Sequence, residues 1–98
     1  MRVELTALAE RDLLDIALYI AADNPARALS FVDELQAACE GLASQALRFP
    51  VMAGFEASAI RRRVYGRYGI FYTIGVDRVQ ILRVISAAMD IESVLEGD

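Results

Sequence analysis

The sequence predicts an α+β domain in the order β-α-α-β-β-β, closed by a short C-terminal helix. The sheet is antiparallel-rich and packed by an α-helical hairpin. Three observations predict it. Two stretches in the first half place apolar residues at helical spacing and meet at Asp23-Asn24-Pro25. The run from Ile60 to Ser86, IRRRVYGRYGIFYTIGVDRVQILRVIS, divides into three strand-like segments at Gly66 and around Gly75. Arg2-Val3-Glu4-Leu5 alternates polar and apolar and reads as a short first strand. At 98 residues the chain reads as one domain, 1–98.

Each element has its own signal. Thr6 is placed to cap the first helix, with Glu10 in its first turns, where a carboxylate meets the positive end of the helix dipole. Leu13, Ile16, Ala17 and Ile20 make one apolar face of that helix. Leu14, Leu18 and Ala21 make a second stripe beside it, so the helix is expected to be in contact on two sides. Asn24 and Pro25 fit the cap and first position of a second helix running to about Leu47. Ala28, Phe31, Val32, Leu35, Cys39 and Leu42 form its buried face, and Asp33, Glu34 and Glu40 its solvent face. Gly41 weakens the helix slightly and leaves room for close packing. Phe49-Pro50 ends the helix, and the segment to Ala59 is a loop whose Phe49, Val51, Met52 and Phe55 pack down. After Ser86, Asp90 is placed to start the terminal helix, with Ile91, Val94 and Leu95 docking at the sheet edge.

Composition narrows the function. One cysteine, Cys39, excludes an internal disulfide framework and a cysteine-based zinc cluster, and with no histidine no metal or cofactor is expected. The absence of histidine also removes the commonest general base. Met1–Thr6 has no apolar signal-peptide core, and no run approaches the roughly 20 apolar residues that span a bilayer. A cytoplasmic location with no membrane partner is therefore expected. The hydrophobic share of 56% suggests an apolar surface covered by a partner. The formal charge of −4 is unevenly spread. Residues 60–83 hold six arginines against Asp77, between two acidic flanks, and no lysine occurs anywhere. A local arginine patch on an acidic body suits carboxylate pairing rather than a nucleic-acid field, so no direct sequence-specific nucleic-acid binding is expected.

Gly66-Arg67 between Tyr65 and Tyr68 fits a two-residue type II′ hairpin loop. Tyr65 then opposes Tyr68, Arg63 opposes Ile70 and Arg61 opposes Tyr72. Alternation places Arg61, Arg63, Tyr65, Tyr68, Ile70, Tyr72, Ile74, Ile81, Arg83 and Ile85 on one face. Ile60, Arg62, Val64, Gly69, Phe71, Thr73, Leu82 and Val84 share the other. Neither face is polar, so the helices are expected to cover the second face. The Arg–Tyr face is expected to stay open as a partner-docking surface of Arg61, Arg63, Tyr65, Tyr68, Tyr72 and Arg83. Leu14 and Leu18 add a helical contribution. A bulge would move Arg83 to the opposite face.

The order of elements resembles the RelE/ParE superfamily of bacterial toxins, and the wording is closer to the ParE branch. The pattern A-x-x-D-L-x-x-I-x-x-Y-I-A-x-x-N-P is met by Ala9, Asp12, Leu13, Ile16, Tyr19, Ile20, Ala21, Asn24 and Pro25, followed by Ala28, Phe31 and Leu35. Downstream, R-x-x-x-Y-G-x-Y-x-I-x-Y and V-x-I-L-R-V resemble the family's strand block. The resemblance implies a RelE-like fold, neutralisation by a ParD-like antitoxin in a heteromeric complex, and DNA gyrase as target. The toxin would act by binding, without catalytic residues. Two other readings stand beside it. A RelE-like ribosome-dependent mRNA endonuclease needs groups to activate a ribose hydroxyl, and Gly69 and the tail ISAAMDIESVL depart from that set. A degenerate toxin that only binds its antitoxin fits the lack of His and Arg after Arg83-Val84-Ile85.

Overall fold

The first helix begins where its cap signal lies. Thr6 has extended backbone and its Oγ1 accepts a hydrogen bond from the Ala9 N–H, opening α1, Ala7–Ala21. Asn24 does the same for α2, Pro25–Glu40, through Oδ1 and the Arg27 N–H, with Pro25 at the first turn. The computed structural model describes residues 1–88. The expected terminal helix on Asp90, Ile91, Val94 and Leu95 lies outside the described residues.

The strands are β1 (Arg2–Leu5), β2 (Arg61–Tyr65), β3 (Tyr68–Ile74) and β4 (Arg78–Ser86), in sheet order β1-β4-β3-β2. β1 pairs parallel with β4, matching Val3 to Val79 and Leu5 to Ile81. The other two pairings are antiparallel. The β2–β3 register is the predicted one, with Tyr65 opposite Tyr68, Arg63 opposite Ile70 and Arg61 opposite Tyr72. Gly66 has φ +59, the backbone that the first position of a II′ loop requires.

Three expectations are corrected. The second helix does not run unbroken to Leu47. α2 ends at Glu40, α3 covers Leu42–Gln45, and a single 3-10 turn covers Ala46–Arg48. Gly41 sits at the break, and a side chain there would meet the Arg63 guanidinium, 3.2 Å from a β-carbon.

The second correction concerns the sheet faces. The helices cover the Arg–Tyr face, not the face of Ile60, Phe71 and Leu82. Ile70, Tyr72 and Ile81 are fully buried with Leu35 and Leu42 in the main core, against α1 and α2. Each fully buried Leu or Ile side chain contributes about 1.5–3 kcal/mol. The opposite face is covered in part by the loop, where Met52 and Phe55 pack on Ile60, Phe71 and Ile85. Burying the Arg–Tyr face is tolerable because its polar tips reach carbonyl and carboxylate oxygens under the helices.

The third correction is a bulge. Phe71 lies opposite Arg83, but Tyr72 lies opposite Ile81, leaving Leu82 as the extra residue. Beyond the bulge the facing reverses, so Val84 joins the main core and Ile85 packs with Phe71.

Candidate partner-binding surfaces

β2 carries its side chains to alternate faces, and this sorts the arginines. Arg61 Nη1 donates to the Phe49 carbonyl at 2.6 Å. Arg63 Nη1 donates to the Ala38 carbonyl at 2.8 Å and stacks over the Phe49 ring, 5.1 Å from its centre. Tyr72 Oη donates to the Ala46 carbonyl at 2.6 Å. All three satisfy carbonyls at the far end of the helical segment, where backbone acceptors lack partners within the helix. Their role is to fasten α2, α3 and the following turn to the sheet.

Tyr65 and Tyr68 meet at the other end of α2. Their rings lie 6.0 and 5.7 Å from that of Phe31. Tyr65 Oη donates to Glu34 Oε1 at 2.7 Å, and Arg27 pairs with Glu34 at 2.6 Å from the exposed side. Hydrogen bonds from Arg27 and then Tyr65 hold the Glu34 carboxyl below its ordinary range. The same bond to Glu34 raises the Tyr65 phenol. Burial raises the Tyr72 phenol, with Arg61 and Arg63 opposing. It pushes the Cys39 thiol up to about 11, with Arg63 pulling the other way.

Arg83 reaches α1. Its Nε donates to Asp12 Oδ2 at 2.7 Å and its Nη2 to Oδ1 at 2.9 Å, and the Val84 N–H also donates to Oδ2 at 2.9 Å. This two-point clasp sits largely out of water, with 10% of the Asp12 side chain and 18% of Arg83 exposed. The sequence names Asp12 only as part of the family pattern and gives it no role. The signal was present, because Asp12 lies on the buried arc of α1 between Ala9 and Ile16, and a carboxylate there requires a partner.

The expected docking face of Arg61, Arg63, Tyr65, Tyr68, Tyr72 and Arg83 is therefore an interior joint. The structure spreads them over three places rather than one open surface: Arg61, Arg63 and Tyr72 at the end of the helical segment, Tyr65 and Tyr68 against Phe31, and Arg83 on Asp12 of α1. Leu14 and Leu18 are separate from them. They lie on the outer side of α1, 53% and 62% exposed, and Leu8 and Leu29 are exposed as well. Beside Leu14 runs an open groove of about 610 Å³ between the helices and β1, lined by Val3, Leu5, Leu13, Ala17, Val32 and Gln36 together with Glu10. Its walls are mostly apolar, and no described part of the chain fills it. Among the described residues no cluster of His, Cys, Asp or Glu is arranged to hold a metal. No described helix is long and apolar enough to cross a membrane.

A family model described as ParE toxin of type II toxin-antitoxin system, parDE, matches residues 3–91. No curated protein sequence matches the chain. A solved chain of the chromosomal ParDE TA system from P. aeruginosa superposes with a TM-score of 0.75. It is 20% identical, and the match covers 88% of this chain and 95% of that one. At that identity the likeness is one of fold.

Proposed function

The chain belongs to the ParE toxin family of the type II toxin–antitoxin system parDE, and on that premise we propose that it acts by binding rather than by catalysis. DNA gyrase is the target, and a ParD-like antitoxin keeps the toxin silent. One observation carries the antitoxin part of this reading. Leu14 and Leu18, one turn apart, stand exposed beside an apolar groove that no described part of the chain fills. An amphipathic helix from a partner fits such a seam, laying its apolar face between α1 and α2.

The chemistry favours a binder over an RNA-cleaving enzyme. The sequence has no histidine or lysine. Arg61, Arg63 and Arg83, the candidates for phosphate charge, are engaged with Phe49, Ala38 and Asp12. Arginine is also a poor proton shuttle at its high pKa.

Expression without antitoxin tests the target. Growth arrest with cleaved DNA and a DNA-damage response is expected, whereas truncated transcripts with intact DNA would establish the endonuclease reading instead. The seam is tested by titrating ParD-like antitoxin onto purified toxin. Leu14→Asp with Leu18→Asp is expected to weaken binding by about thirtyfold or more, the scale of a lost hot spot. Unchanged affinity would remove the seam from the interface.

A further inference from the structure

β1 is an outer strand, bonded to β4 on one side. The Arg2 N–H donates to the Asp77 carbonyl at 3.3 Å, and the Thr6 N–H to the Ile81 carbonyl at 3.0 Å. Successive residues of a strand turn their peptide groups to opposite sides, so Glu4 also faces β4, while Val3 and Leu5 face outward. Among the described residues, no hydrogen bond reaches the outward N–H or C=O of Val3 or Leu5. No proline or bulge blunts this edge. The side chains divide between the two faces. Val3 and Leu5 pack toward the main core, and Arg2 and Glu4 lie on the open face, 60% and 39% exposed.

This edge is complementary to itself. A second copy meets it antiparallel, about a two-fold axis perpendicular to the sheet. An axis between two residues pairs an outward residue with an inward one and makes no ladder. Centred on Arg2 or on Glu4, the axis sets like charges directly opposite each other. Centred on Leu5, it brings Val3 opposite Ala7, which already belongs to α1. Centred on Val3, it meets every requirement. Val3 then faces the partner's Val3 through their outward peptide groups, the Leu5 N–H faces the partner's Met1 carbonyl, and Arg2 lies opposite the partner's Glu4. We propose that the toxin pairs with a second copy of itself along β1 in this register, joining two four-stranded sheets into one. The helices of both copies then lie on one side, and the two grooves lined by Val3 and Leu5 adjoin across the axis. Each copy contributes one short strand, less than a permanent interface uses, so the dimer forms reversibly. This pairing needs no antitoxin.

The test is sedimentation velocity of the purified full-length toxin over the micromolar range, with amide hydrogen exchange on the same samples. A monomer–dimer equilibrium is expected, with the Val3 and Leu5 amides exchanging about tenfold more slowly in the dimer. Val3→Pro removes an outward N–H and spares the bonds to β4, so it is expected to leave the toxin monomeric with its circular dichroism spectrum unchanged. Glu4→Arg sets arginine against arginine and is expected to weaken the dimer about tenfold. Arg2→Glu together with Glu4→Arg restores opposite charges and is expected to recover it. A toxin that stays monomeric at every concentration overturns the proposal, and so does a dimer that survives Val3→Pro. Failure of the charge swap to recover what Glu4→Arg loses overturns the register. Val3 and Leu5 amides protected only once antitoxin is added overturn it too, by giving the edge to the antitoxin.

Discussion

Arg61 and Arg63 lie on either side of Arg62 in one strand, yet their circumstances are opposite. The outer two pass beneath the helices and end on carbonyls of Phe49 and Ala38. Arg62 stands on the other face, exposed, with no acid beside it among the described residues. The period of two in a strand makes this division, and it separates charge that organises the interior from charge that meets solvent. A count of arginines in the block therefore overstates its surface charge. The same division explains why no lysine replaces these residues, since a fork of N–H donors on a long stem can reach a carbonyl while its methylenes pack.

Three measurements would break or sharpen this comparison. The largest effect is expected at the clasp that holds the interior Arg83. Asp12→Ala leaves the guanidinium and the Val84 N–H without their carboxylate and should cost about 3 kcal/mol in denaturant unfolding. A loss under 1 kcal/mol would place Arg83 with the solvent-facing group. Next comes alkaline pH. The Cys39 thiol is raised from 9.0 to about 11 by burial. Its contribution to stability is complete below the unfolded value and fades as pH rises through the folded one. That contribution amounts to about 2–3 kcal/mol. Cys39→Ala should flatten part of the alkaline stability loss between those two values, leaving the part due to Tyr65 and Tyr72. Because Arg63 holds that thiol down, Arg63→Met should raise it further, and Arg62→Met should leave it unmoved. The Cys39 Cβ shift followed by NMR reports this directly. The smallest effect is the direct contrast within β2. Arg63→Ala should cost about 1–2 kcal/mol, and Arg62→Ala no more than about 0.5 kcal/mol. Equal costs would dissolve the distinction.

The sequence carried the elements and one register because those signals are local. A threonine cap, an Asn-Pro start and a Gly-first hairpin loop each act over a few residues. The covered face was not legible. Both faces of β3 carry large apolar groups, so alternation alone does not say where the helices sit. The Arg–Tyr face looked polar enough to stay open, and the carbonyls that accept its donors come from residues 38, 46 and 49, far away in sequence. The bulge at Leu82 was equally silent, since no glycine or proline marks it. Asp12 shows the opposite case, where a charge inside an apolar arc announced a partner but not which one. Of the proposed contacts, Leu14 and Leu18 are exposed although the second stripe of α1 implied contact there, whereas Tyr72 is wholly buried.

The parallel pairing of β1 with β4 has a consequence for biosynthesis. Arg2 lies beside Arg78 and Leu5 beside Ile81, so β1 is bonded to the last of the described strands. The Asp12 clasp spans 71 residues in the same direction. Neither contact exists until β4 has been made, and contacts so distant in sequence form slowly. Chain fragments from interrupted synthesis lack the central strand to which both β1 and β3 attach. Fragments that stop short of β4 therefore cannot close the sheet or the Asp12 clasp.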